Sequence, residues 1–190
     1  MAAERYRITL DGTAYDHKPE GFEIGSITRR LQAAGPTEVT AQELAEAIRQ
    51  GRTWTAGTFA PHDHGWGAFQ GLRLWALDID NSRDGRQLTP RDEGFAWPEG
   101  IRQRLVSIGF KPILCHSTAH ATKDKVRFRT VLDIGETITD ATEARELVSL
   151  VLERFPECDQ ACKNLNRLSF GAAGCGLYPY YTGWQGAWPS

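Results

Sequence analysis

The hydrophobic pattern divides the chain into short segments with different periods. Residues 6–10 alternate apolar and polar positions as a half-buried strand does, and Asp11-Gly12 predicts a turn after them. Residues 12–39 are rich in glycine, proline and charge and read as mostly loop. Thr40-Ala41-Gln42-Glu43 has the form of a capping box ahead of Leu44, Ala45 and Ile48, with Gly51 as a stop, which predicts a short amphipathic helix. Residues 71–80 form an almost continuous apolar run that closes on Asp78 and Asp80, the pattern of a buried strand. Helical spacing follows at Ile101, Leu105 and Ile108, with Pro98 placed for the first turn. Strands are predicted over 110–117 and 126–134, the second alternating cleanly. Asp140-Ala141-Thr142-Glu143 opens a helix through Leu147, Leu150, Val151 and Leu152 as far as Pro156. A short helical stretch from Asp159 and a strand near 168–171 come next, and the tail from Tyr178 to Ser190 is aromatic and glycine-rich. No repeat and no Gly-rich phosphate loop interrupts this order, so the expected class is α+β, a sheet with helices on one side.

Composition narrows the class without naming a function. The 190 residues are 41% hydrophobic and 24% charged, the mix of an ordinary globular protein with one core. No apolar run reaches the roughly 18–20 residues of a membrane span, and no hydrophobic stretch follows the first residues, so a cytoplasmic protein is expected. Four cysteines are too few and too scattered for a disulfide scaffold. The formal charge is −2, which excludes a general basic coat for nucleic acid. A local one remains, because residues 101–129 hold seven basic side chains and one acid.

Three segments carry candidate chemistry. Asp78 and Asp80 are one residue apart in a strand, so both carboxylates lie on one face, with Leu77 and Ile79 on the other. Acids held this close repel unless a cation sits between them, and Mg²⁺ or Mn²⁺ suits such oxygen ligands; the bland alternative is an exposed pair relieved by solvent or by Arg83. Lys125, Arg127 and Arg129 share a face of the next basic strand, opposite Val126, Phe128 and Thr130, as expected of a phosphate site or of a solvated outer face with partners such as Asp133. His120, in Thr118-Ala119-His120, lies just before that strand. The third segment starts at Asp159, which by itself reads as a helix cap, and runs to Asn166 and Arg167.

Taken in order, these segments resemble the archaeo-eukaryotic primase superfamily, in its primase-polymerase and plasmid or phage replication branch. Leu77-Asp78-Ile79-Asp80 matches the first motif, a hydrophobic strand ending in acid-x-acid. Thr118-Ala119-His120 matches the small-x-His motif, with His116 as the competing histidine. Arg127-Phe128-Arg129 matches the basic strand that follows, and Asp159 the third acid, for which Asp133 competes. The resemblance covers about residues 50 to 180. It implies an RRM-like antiparallel or mixed catalytic sheet with flanking helices and a smaller N-terminal α/β part. Residues 1–190 would form one catalytic domain, with 1–55 an N-terminal subregion, 56–182 the core and 183–190 a tail or linker. It implies template-directed nucleotidyl transfer on single-stranded DNA from (deoxy)nucleoside triphosphates, with a helicase or C-terminal helical domain as a further partner. Asp78, Asp80 and Asp159 would hold two Mg²⁺ or Mn²⁺ ions. Thr118, His120, Lys125, Arg127, Arg129, Asn166 and Arg167 would contact the nucleotide, with the last two also placed for template. On this reading Asp78→Ala abolishes nucleotide addition and leaves the fold intact, and Arg129→Ala raises KM.

Other assignments compete. His62-Asp63-His64 with Tyr178, Tyr180 or Tyr181 suggests a rolling-circle-type endonuclease, although such histidines normally flank an apolar residue. A non-catalytic module would bind nucleic acid through the basic strand and six tryptophans. Cys158 and Cys162, with Cys175 and either Cys115 or His116, offer a zinc set that lacks the short Cys-x-x-Cys spacing.

Overall fold

The computed structural model describes residues 3–63, 66–83, 86–119, 121, 122 and 126–178. His64, His120, Lys125, Tyr180, Tyr181 and the tail 183–190 lie outside the described residues, as does the side chain of Tyr178. The chain opens with β1 (Arg5–Ala14), α1 (Phe22–Ala34), β2 (Thr37–Thr40), α2 (Ala41–Arg49) and β3 (Arg52–Thr55), whose strands form a three-stranded antiparallel sheet in the order β2-β1-β3. Next come β4 (Thr58–Phe59), β5 (Phe69–Ile79), a small ribbon of β6 (Ser82–Arg83) and β7 (Arg86–Gln87), and α3 (Pro98–Ser107). They are followed by β8 (Lys111–Ser117), β9 (Phe128–Ile138), α4 (Ala141–Arg154) and β10 (Leu177–Tyr178). The second sheet is antiparallel, in the order β10-β8-β9-β5-β4, so the architecture is α+β. One hydrophobic cluster runs through both sheets, from Tyr6 and Ile8 through Leu74, Phe128 and Leu132 to Phe155 and Leu165. Among the described residues no helix is long and apolar enough to cross a membrane.

Local signals place several elements as expected. Thr40 and Glu43 form the reciprocal capping box that starts α2. Pro98 occupies the first turn of α3, and the Asp140 carboxylate caps α4 by accepting from the Thr142 and Glu143 amides. The segment 12–39 is different: it is not mostly loop but holds the end of β1, all of α1, and β2. Asp11 does not end a strand in a turn. It is fully buried and takes two hydrogen bonds of 2.7 Å from Arg30, which clamps α1 to β1. α1 has no side-chain cap and begins after Gly21 at φ 49°, so its stability comes from burying Ile27 and Leu31 rather than from local signals.

The expected strand near 168–171 is reduced to a single bridge between Ser169 and Trp54, with hydrogen bonds of 3.0 and 2.8 Å in both directions. Two glycines let this segment lie close to the N-terminal part. A Cβ on Gly57 would stand 2.4 Å from the Leu165 carbonyl oxygen, and one on Gly171 would stand 2.5 Å from the Arg52 carbonyl oxygen. That close threading carries Arg167, Leu168 and Phe170 to the end of β5.

Candidate active site

Asp78 is the second-last residue of β5 and stands directly opposite Arg129 of β9. The pair is sealed, with Asp78 7% and Arg129 6% exposed. Arg129 grips the carboxylate with both Nε and Nη2, the latter at 2.9 Å, and its Nη1 donates to the Phe170 carbonyl at 3.0 Å. Burial by itself would raise the Asp78 pKa, but Arg129 and Arg167 outweigh it and hold the group at about 2.

Asp159 reaches the same place by a backbone route. The chain after α4 runs back along the free edge of β5, where Cys158 bridges Ile79 and the Asp159 amide donates to the Asp78 carbonyl at 2.9 Å. Its Oδ1 accepts from the Ala161 amide at 2.9 Å and caps a 3₁₀ turn, Gln160–Lys163. Its Oδ2 accepts from Arg167 Nη2 at 2.6 Å, and the same nitrogen lies 3.0 Å from Asp78 Oδ2. Two carboxylate oxygens therefore converge on one cationic nitrogen. Asp133, the competing third acid, is elsewhere: it is buried farther along β9 and paired with Arg73 at 2.6 Å.

Asp80 lies just past the strand end. Its only ion pair among the described residues is a loose one, 3.9 Å to Arg127 Nε, and its side chain is 42% exposed. Behind it Asn81 turns the chain at φ 47° and is fully buried. The Asn81 side-chain amide donates to the Ala96 and Val126 carbonyls and accepts from the Ala96 amide at 2.7 Å, so it ties β5 to the approach to α3 and to the start of β9. Gln87 adds a tether, donating to the Asp80 and Asn81 carbonyls and accepting from Arg127.

The three acids and their arginine partners line a cleft of about 270 Å³. Asp78, Asp80 and Asp159 line it together with Arg127, Arg129 and Arg167, and Thr118 and Ala119 are part of the same lining. Lys18, from the loop before α1, is the seventh charged lining residue and has no ion-pair partner among the described residues. Three carboxylates against three guanidiniums and one ammonium leave a net charge of +1. Asn166 is exposed and does not line the cleft. The three cations expected on one sheet face therefore look different here. Arg127 and Arg129 already have internal acids as partners, and Arg129 is enclosed rather than presented.

His116 shares the row, opposite Arg129 on the β8 side, yet it is fully buried and does not line the cleft. Its Nδ1 lies 2.9 Å from the Ser117 carbonyl, while Nε2 meets no hydrogen-bond partner among the described residues. Burial first, then the charge of Arg129, push its pKa down to about 4. A folded-state pKa below the free value of about 6.5 means the unfolded chain takes up this proton first as pH falls. Stability should therefore drop between pH 6.5 and 4, by up to about 1.4 kcal/mol per unit. Urea titrations at pH 7, 6 and 5 check this; an equal slope in His116→Gln would remove His116 as its cause.

Among the described residues no three His, Cys, Asp or Glu side chains converge as a group that could hold a metal ion as they stand. Asp78 and Asp159 nonetheless fit a divalent cation, since two hard oxygens already share one positive centre and Asp80 is loosely held beside them. Cys158 and Cys162 are buried and Cys175 half-buried. Burial raises all three thiol pKa values, to about 12 for Cys162 and about 11 for Cys175, so they are neutral thiols. Cys162 Sγ accepts from the Asp78 amide at 3.4 Å, a packing role beside the site. His62 is exposed in a turn at φ 63° and does not line the cleft. A larger cavity, about 650 Å³, lies against α3, where Phe95 and Trp97 meet edge to face; its charged lining residues, Arg104 and Glu157, pair with each other.

Lys18, Asn81 and Gln87 are the site residues that sequence reasoning misses. Asn after a strand signals a turn, but neither its buried bonds nor the approach of Lys18 has any local signature. Compared with known proteins, the chain matches no family model, no curated protein and no solved structure.

Proposed function

We propose that this protein is a template-directed nucleotidyltransferase of the archaeo-eukaryotic primase kind, acting on single-stranded DNA and nucleoside triphosphates. The observation that carries the reading is the meeting of Asp78 and Asp159 at one cationic centre, beside Asp80, in a cleft rimmed by Arg127, Thr118 and Lys18. Apart from the β6-β7 ribbon, the order β5-α3-β8-β9-α4-β10 is β-α-β-β-α-β, and the run β5-β9-β8 has the strand order of an RRM-like core; β10 departs from it by joining the β8 edge rather than lying beside β5. β10 pairs with β8, while the outer edge of β5 is met by β4 and Cys158.

Asp78, Asp80 and Asp159 would hold the divalent cations. Bound there, Mg²⁺ or Mn²⁺ supplies activation of a 3′-hydroxyl and neutralises charge at the α-phosphate. The chain's own work is positioning. Arg129 fixes the Asp78 carboxylate from below, and the Ala161 amide fixes that of Asp159. Arg127 and Lys18 present charge to the triphosphate, and Thr118 lines the same cleft. His120 and Lys125 belong to the same phosphate-binding proposal.

Nucleotide incorporation on a single-stranded DNA template tests the reading, with Mg²⁺ or Mn²⁺ and with and without primer. Metal-dependent products that Asp80→Asn abolishes support it, and products without primer make it a primase. Lys18→Ala should raise KM for the nucleotide about 3–10-fold with little change in kcat, since one exposed charge contact is worth about 1 kcal/mol. An unchanged KM would remove Lys18 from the site.

A second reading is a non-catalytic nucleic-acid-binding module, favoured by the arginine partner that every cleft acid already has. Trp54 and Trp75 are core residues and cannot stack on bases, whereas Trp97 is 41% exposed. Template binding indifferent to chelator, with no products, would select it.

A further inference from the structure

We propose that Arg167 holds the place of a divalent cation in the metal-free protein, and that metal enters by exchange with its guanidinium. The inference rests on the metal-dependent reading above. Its basis is a difference between the two arginines on Asp78. Arg129 belongs to the central sheet, its side chain is 8% exposed, and its donors are divided between Asp78 and a backbone carbonyl. Arg167 closes the 164–167 turn, its side chain is 27% exposed, and one nitrogen, Nη2, makes both of its ion pairs. Removing Arg129 would leave a buried carboxylate short of its main partner. Moving Arg167 would uncover only the shared position.

The carboxylates are arranged to survive that move. Asp78 Oδ1 stays on Arg129 Nε and Asp159 Oδ1 stays on the Ala161 amide. In each group Oδ2 faces the shared position, and in Asp78 that oxygen also keeps its bond from Arg129 Nη2 at 2.9 Å. A dication and a guanidinium cannot both occupy it, since like charges at contact distance repel strongly inside a half-enclosed cleft. The displaced side chain would remain at the cleft with Lys18 and Arg127, where a triphosphate would meet it. Metal and nucleotide binding would then be coupled, each favouring the other by the same factor.

The test is Mn²⁺ binding by calorimetry on the full chain without nucleotide, for wild type, Arg167→Ala, Arg167→Gln and Asp159→Asn. The expected result is at least 5-fold tighter Mn²⁺ binding in both Arg167 variants and at least 10-fold weaker binding in Asp159→Asn. The glutamine variant keeps much of the side-chain length, so a folding defect in the alanine variant does not decide the outcome. Addition of a non-hydrolysable nucleoside triphosphate should tighten Mn²⁺ binding in wild type and do so less in the variants. Equal or weaker binding in the Arg167 variants, with Asp159→Asn still impaired, would overturn the exchange and leave the metal site standing. No Mn²⁺ binding by wild type or by the Arg167 variants would overturn both the exchange and the metal-dependent reading.

Discussion

Asp78→Ala is expected to destabilise the fold by about 3–5 kcal/mol, because it leaves the buried Arg129 charge without its main partner. Sequence alone treats Asp78 as a ligand that can be removed with the fold intact; its burial against Arg129 corrects that. Arg129→Ala should cost a similar amount for the converse reason, so a KM effect cannot be read from that variant alone. Replacing both partners with apolar residues, as in Asp78→Leu/Arg129→Met, should recover most of the loss, since desolvation of the pair offsets much of its attraction. Urea denaturation of the two single variants and the double variant measures this directly. A loss under about 1 kcal/mol for Asp78→Ala would mean the pair is not sealed as described. The pH dependence has a defined sign. The Asp78 pKa is about 2 when folded, against about 3.9 for a free aspartate. Its stabilising contribution is complete above about pH 4 and is lost as pH falls towards 2.

Asp80→Asn and Asp159→Asn should abolish nucleotide addition, by about 10³-fold or more, while changing stability by less than about 1–2 kcal/mol. The first figure follows from losing several kcal/mol of charge stabilisation at the transferring phosphate. The second follows from exposure. Among the described residues Asp80 has only the 3.9 Å ion pair with Arg127, and asparagine keeps the cap that Asp159 provides to the 3₁₀ turn. The contrast with Asp78 separates catalysis from folding within one cleft. Primer extension with purified variants, alongside their urea midpoints, gives both readouts. Full activity in either variant would remove that carboxylate from the reaction.

Elements governed by short-range rules were legible in the chain. The box at Thr40 and Glu43, the proline that opens α3 and the Asp140 cap involve residues at most four apart, so the pattern and the structure contain the same information. The buried run ending in Asp78 and Asp80 was legible for the same reason. α1 was not, because a helix held by two buried residues and by the buried partner of Arg30 shows a weak stripe and no cap.

The site divides along the same line. The sequence by itself determined that two acids close a core strand, that Arg127 and Arg129 share a face, and that a third acid begins a short helical turn. Strand and helix periods dictate these placements. Only the tertiary structure decided what each charge meets. Arg129 is 51 residues from Asp78, and Arg167 is 89 residues from it. Their meeting depends on the register of β5 against β9 and on the path past Gly57 and Gly171. The burial of His116, the bonds of Asn81 and the arrival of Lys18 follow from packing in the same way. Periodicity fixes which way a side chain points; long-range register and close packing fix what it finds there.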